Sequence, residues 1–115
     1  MDASAKMAAY VEERTGYPSY CGVPPDRPRE LVVIERTGGG RGRIVVEDYM
    51  FVLHCWAATR GRSAEMAESV VDAVLAMPER LPNVFSANIE STYNNPDLDS
   101  GTPRTTITCT VSANH

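Results

Sequence analysis

Three cysteines, two histidines and several close pairs of acids are the residues of this 115-residue chain whose types could do chemistry. Cys21, Cys55 and Cys109 are odd in number and widely spaced, with no Cys-x-x-Cys pair, so neither a zinc knuckle nor a thioredoxin-like redox pair can be built from them. Cys55 and Cys109 each lie in an alternating apolar run, where a thiol behaves as a small buried hydrophobe. All three read as reduced structural thiols, as is usual in a cytosolic assembly environment. His54 falls in a strand-like run and His115 is the last residue; without acidic or thiol neighbours they make a poor metal set. Asp97, Asp99 and Gly101 imitate the start of a calcium loop, but the twelfth position from Asp97 is Thr108 where glutamate is needed. They read instead as a turn held by Asx hydrogen bonds.

The glycine run GGGRGR at 38–43 lacks the Lys-Ser or Lys-Thr of a phosphate loop and breaks the GxGxxG dinucleotide pattern at Ile44 and Val45. It reads as a mobile, basic hairpin connection. Glu12 with Glu13, and Glu47 with Asp48, look like solvated surface. No Ser-His-Asp set can be assembled, because such a triad is defined by geometry. The sequence therefore nominates no catalytic residue, no cofactor site and no metal site, and the expectation is a protein that is not an enzyme.

The elements that must carry these residues follow from hydrophobic periodicity. Residues 2–15 read as a helix capped by Asp2 or Ser4, with Met7, Tyr10 and Val11 on one face and Gly16 as the stop. A proline-rich stretch with Pro18, Pro24, Pro25 and Pro28 follows, with room for a short extended piece at 20–23. Residues 30–37 form a strand rich in β-branched side chains, and 49–57 a second; 44–48 is loop or strand start. A helix begins at Thr59 or Ser63 and runs to about Met77, with the stripe Ala67, Val70, Val71, Val74 and Leu75. Pro78 and Pro82 prevent its continuation. Residues 83–93 form a third strand with Phe85, Ala87 and Ile89 on one face. After a turn-rich loop at 94–104, residues 105–113 alternate cleanly: Ile107, Cys109, Val111 and Ala113 against Thr106, Thr108, Thr110 and Ser112.

Strands adjacent in sequence without an intervening helix argue for hairpins. The expected fold is α+β: one domain over 1–115, with a mostly antiparallel four- to five-stranded sheet and two helices packed on one face. Within it, 1–29 would supply the N-terminal helix and the Pro-rich segment, and 30–115 the sheet and main helix. The length suits a single domain that buries roughly 65% of its unfolded surface, enough for a core without metals or disulfides. The apolar share of 43% is ordinary, no run approaches a membrane span, and the first residues do not resemble a secretory signal. A net charge of −4 argues against sequence-specific DNA binding, which relies on Lys and Arg against phosphates.

One feature resists an isolated-domain reading. On 49–57, Phe51, Leu53, Cys55 and Ala57 make one apolar face, yet Met50, Val52, His54 and Trp56 leave the opposite face largely apolar too. Either the N-terminal helix covers that second face or another subunit does, since large bare apolar patches mark association. Trp56, Met50 and Val52 are therefore candidate contact positions. The charged residues of the two loops join them: Arg41 and Arg43 in one, Asp97, Asp99 and Arg104 in the other.

The ordered set ELVVIERTGGG, then HCWAATRGRSAEMAESVVDAVL, then NVFSANIESTYNNPDLDSGTPRTTITCTVSA resembles the phage tail-terminator family, in the form met in actinobacterial siphophages and prophages. The pieces that carry the resemblance are 33–40, 56–60 leading into the Ala-rich helix, and 96–104 leading into the last strand; together they span about 24–113. The resemblance implies a small α/β fold that assembles into a hexameric ring. That ring would sit on the finished tail tube, stop further polymerisation and offer a surface to the head connector or completion protein. It further implies a place at the head-proximal end of the virion tail, reached by assembly in the host cytoplasm, with DNA passing through unbound and no membrane contact. Two alternatives stand beside it: another ring-forming head–tail or tail-tube protein, and a small cytosolic ligand-binding domain or enzyme. The last would need a pocket with convergent polar groups, which the sequence does not nominate.

Overall fold

The computed structural model describes residues 3–41 and 46–114, with side chains throughout except at 39–41 and 46. Asp2, Arg43, Ile44 and His115, each invoked above, lie outside the described residues. The first helix, α1, spans Ala3–Thr15 and ends where Gly16, at φ +82°, turns into the left-handed region that only glycine enters freely. Ser4 lies inside this helix and is buried, so it is not the cap. A two-residue strand β1 (Ser19–Tyr20) pairs parallel with β2 (Leu31–Arg41). Then come β3 (Val46–Trp56), α2 (Arg60–Leu75), a single turn α3 (Met77–Arg80), β4 (Val84–Asn94) and β5 (Arg104–Asn114).

The sheet order is β1-β2-β3-β5-β4, and every pair except β1 with β2 is antiparallel. The α+β expectation of a mostly antiparallel sheet with both main helices on one face is what the chain adopts. Met7 and Val11 of α1 and Met66, Val70 and Val74 of α2 share one core with Val32, Ile34, Leu53, Cys55, Ile107 and Cys109. The N-terminal helix therefore lies beside α2, and the Tyr10 hydroxyl donates to the Ala73 carbonyl at 2.5 Å to join the two. It does not cover the opposite face.

Local chemistry explains where α2 starts and stops. Thr59 is the cap: its Oγ1 accepts from the Arg62 amide at 3.1 Å. Arg62 then grips Glu30 through two hydrogen bonds of 2.6 and 3.0 Å, which ties the helix start to the entry of β2 and holds the Glu30 carboxyl below its ordinary pKa. The buried stripe is Ser63, Met66, Ala67, Val70, Ala73 and Val74; Val71 is only half-buried and Leu75 is 48% exposed. The sequence reading thus set the stripe slightly off its axis. Pro78 sits in the first turn of α3, where a proline is tolerated, so the chain continues for one more helical turn past the end of α2.

Two further corrections concern the strands. Residues 38–41 and 46–48 are not loop: Gly38 pairs with Met50, Gly39 with Tyr49, Gly40 with Asp48 and Arg41 with Glu47, so β2 and β3 extend as a long hairpin. The register slips by one residue between Arg36 and Gly38, a bulge at Thr37. Gly38 lies against Met50, whose Sδ would stand 3.3 Å from an added Cβ. In β4 a second slip between Val84 and Ser86 moves Phe85 off the core face; it is 54% exposed while Val84, Ala87 and Ile89 pack inward. No helix among the described residues is long and apolar enough to cross a membrane. The molecule measures 43 × 23 × 23 Å, its long axis set by eleven-residue strands.

Candidate assembly surface

The face of the sheet opposite the helices is built from β3 outward. Trp56, His54, Val52 and Met50 of β3 pair with Arg104, Thr106, Thr108 and Thr110 of β5 on one side, and Trp56, His54 and Val52 with Leu31, Val33 and Glu35 of β2 on the other. A strand read alone suggested a largely apolar face. Across strands it is mixed, because β5 contributes a row of hydroxyls. Ser112 donates to Asp48 at 2.6 Å and Thr110 to Glu90 at 2.9 Å, so this end of the face is hydrogen-bonded and solvated.

Trp56 is 4% exposed. Within the single chain it is already covered, and not by the N-terminal helix. Leu31, Val33 and Tyr20 pack beside it. The Arg27 guanidinium stacks over its ring at 4.6 Å from the centroid, and Arg104 lies 5.1 Å away. These are cation–π contacts, in which the ring quadrupole attracts the guanidinium. Arg27 escaped the sequence reading. The one signal was its setting between Pro25 and Pro28, a proline-bounded turn segment that carries a cation back over the sheet. The indole Nε1 of Trp56 is buried without a hydrogen-bond partner, an exception among buried donors.

Beside the tryptophan, Pro28, Leu31, Ala57 and Thr102 line a cavity of about 280 Å³, with Arg27 and Arg29 at its rim. His54, the next residue on this face, takes part in a polar cluster. Its Nδ1 lies 2.9 Å from Thr106 Oγ1 and its Nε2 3.3 Å from Glu35. Burial, and then the charge of Arg104, lower the His54 pKa below its ordinary value; Glu35 opposes them. Further along, Met50 is 40% exposed and Val52 half-buried, so they form the bare part of this face.

The other candidate positions are spread along the strands. Arg104 reaches Asn95 O at 2.8 Å, closing the base of the β4–β5 loop. Asp97 accepts from the Ser100 hydroxyl at 2.6 Å and the Ser100 amide at 3.3 Å, which is an Asx turn and lowers its pKa. Asp99 sits at the exposed tip beside Leu98, which is 95% exposed. Arg41 is in β2 at the far end of the sheet, so it does not join the Trp56 group.

Cys21, Cys55 and Cys109 are free. Burial pushes the Cys55 and Cys109 thiols up to about 12, so neither is a ready nucleophile. No group of three or more metal-ligating side chains converges among the described residues.

No protein-family model matches the chain. No curated protein matches it. Its fold is similar to that of a chain in the virion of a native gene transfer agent particle. The TM-score is 0.59 at 15% sequence identity, over 98% of this chain and 87% of that one.

Proposed function

We propose that this chain is a structural virion protein of a phage-like particle, and that it acts as a tail terminator. In this role it caps the tail tube as a ring, ends tube growth and provides the head-joining surface. The observation that carries the reading is the fold shared over nearly the whole length with a chain of the gene transfer agent virion. The ordered motifs at 33–40, 56–60 and 96–104 support the terminator role within that class. The surface agrees: a half-apolar, helix-free sheet face stands open. Six copies would carry six times −4, or about −24, formal charges, which suits a conduit that DNA must traverse without sticking.

The second reading, another ring-forming connector or tail-tube subunit, rests on the same fold likeness. Symmetry separates the two. A terminator stops at one closed ring, whereas a tube subunit stacks into open-ended tubes. The test is light scattering with negative-stain microscopy of the purified chain. A closed particle of six times 12.6 kDa is the expected result. Open tubes would favour the alternative, and a strictly monomeric chain that also ignores tail tubes would remove both.

A further inference from the structure

The polar cluster around His54 belongs to a longer hydrogen-bond chain that runs from β2 to the end of β4. Asn95, directly after β4, places its Nδ2 3.2 Å from Thr106 Oγ1 in β5. The same Oγ1 lies 2.9 Å from His54 Nδ1 in β3, and His54 Nε2 lies 3.3 Å from the Glu35 carboxylate in β2. Thr106 is fully buried, and these are the hydrogen bonds its hydroxyl makes among the described residues. Counting donors and acceptors then fixes every proton. An ionised carboxylate only accepts, so the neutral imidazole carries its proton on Nε2. Nδ1 is therefore an acceptor, and the Thr106 hydroxyl donates to it. The Asn95 amide in turn donates to the Thr106 oxygen. All donation runs one way, from Asn95 through Thr106 and His54 to Glu35.

We infer that this chain is a two-state acid switch: a proton on His54 reverses the donors at Thr106 and Asn95, so that Asn95 changes from offering an acceptor to offering a donor at the foot of the β4–β5 loop. The inference is independent of the ring reading above. A protonated imidazole donates from both nitrogens. Nδ1–H then takes Thr106 Oγ1 as its acceptor, and the Thr106 proton loses its place. Left there, it would be an unmet donor at a fully buried position. Half a turn of the Asn95 amide brings Oδ1 to that proton. No bond opposes the turn, because Oδ1 has no partner among the described residues and is not buried. The Asn95 backbone stays clamped throughout: its N–H donates to Arg104 O and its carbonyl accepts from Arg104 Nε, both at 2.8 Å. The freed NH2 takes the outward place of Oδ1. The charged groups facing His54 are Glu35 of β2, which favours the protonated ring, and Arg104 of β5, which opposes it. Tyr93 of β4 pairs with Thr106 on the same face, and the helices pack on the other. Burial and Arg104 outweigh Glu35, so the forward chain holds at neutral pH and the reversal is a response to acid below about 6.5.

The test is nitrogen NMR of the isotopically labelled full chain in a His115→Gln background, which leaves His54 the sole histidine. At about pH 8, above the histidine range, the ring shifts should report the Nε2–H tautomer. On acidification the His54 ring signals and the Asn95 side-chain amide signals should move together, with one shared midpoint below about 6.5. Thr106→Val keeps the side-chain volume but cuts the chain at its middle. It should abolish the Asn95 response while His54 still titrates, and Thr106→Ser, which keeps the hydroxyl, should retain it. Should Thr106→Val fail to fold, the tautomer and the shared midpoint decide between them. An Nδ1–H tautomer at neutral His54 would overturn the switch. So would an Asn95 amide indifferent to pH, or an Asn95 response that persists in folded Thr106→Val.

Discussion

At the level of single residues, Trp56 carries most of what is distinctive. Its ring is closed in by Leu31, Val33 and Arg27, all from chain segments well before it in the sequence. Truncation to alanine should therefore destabilise the isolated chain by about 3–5 kcal/mol, the usual range for a buried aromatic. Urea unfolding measures this, and an unchanged midpoint would contradict the intrachain cover. His54 gives a pH signature. Its native pKa lies below the ordinary histidine value of ~6.5, so the unfolded chain takes up the proton first. Stability is thus unaffected by His54 at high pH and is lost as pH falls below about 6.5 toward the depressed native value. The melting temperature should drop as pH falls below about 6.5, and His54→Gln should lessen that drop. Equal drops in the two proteins would refute the assignment. The sequence made Trp56 and His54 conspicuous, since alternation put both on the face away from the helices. It did not reveal Arg27, because no periodicity links an irregular proline segment to a strand so far along the chain.

At the level of elements, legibility followed regularity. The alternation of β5 survives intact: Ile107, Cys109 and Val111 are buried in the helix-side core. Both main helices start and stop close to their capping signals. What was hidden were the bulges. One extra residue at Thr37, another near Phe85 and a third at Glu90 shift the phase of alternation locally, and nothing in the residue types marks them. The glycine run was similarly misleading, because glycines that favour turns in isolation are here paired in a long hairpin. Backbone amides of Gly38, Gly39, Gly40 and Arg41 should accordingly exchange slowly in the free chain, at least wherever they donate across the ladder, while any gain on assembly within the 95–102 tip should fall on amides other than the already bonded Asn95, Asp97, Ser100 and Gly101. Fast exchange throughout 38–41 would contradict the pairing. The helix stripe gives a graded mutation test. Leu53, fully buried at the centre of β3, should not tolerate aspartate at all, since an unpaired carboxylate there has no compensating partner. Val71, half-buried at the margin of α2, should tolerate aspartate with a much smaller loss of melting temperature. Equal effects would show that the sheet and helix margins had been confused.

At the level of the whole molecule, an elongated acidic subunit with one face armoured by helices and the other half open is suited to packing side by side. The helix-side core is complete within one chain; the open face and the loop tip are what remain for neighbours. The role of tail terminator makes a demand that no other reading shares, namely that the protein stop growth. The direct measurement is elongation of tail tubes built from the tube protein of the same genome, followed by electron microscopy with and without this chain. The account predicts one closed ring at a single end of each tube and no further lengthening when fresh tube subunits are added. Tubes that keep growing at both ends in the presence of excess chain, or a chain that polymerises into tubes itself, would contradict it.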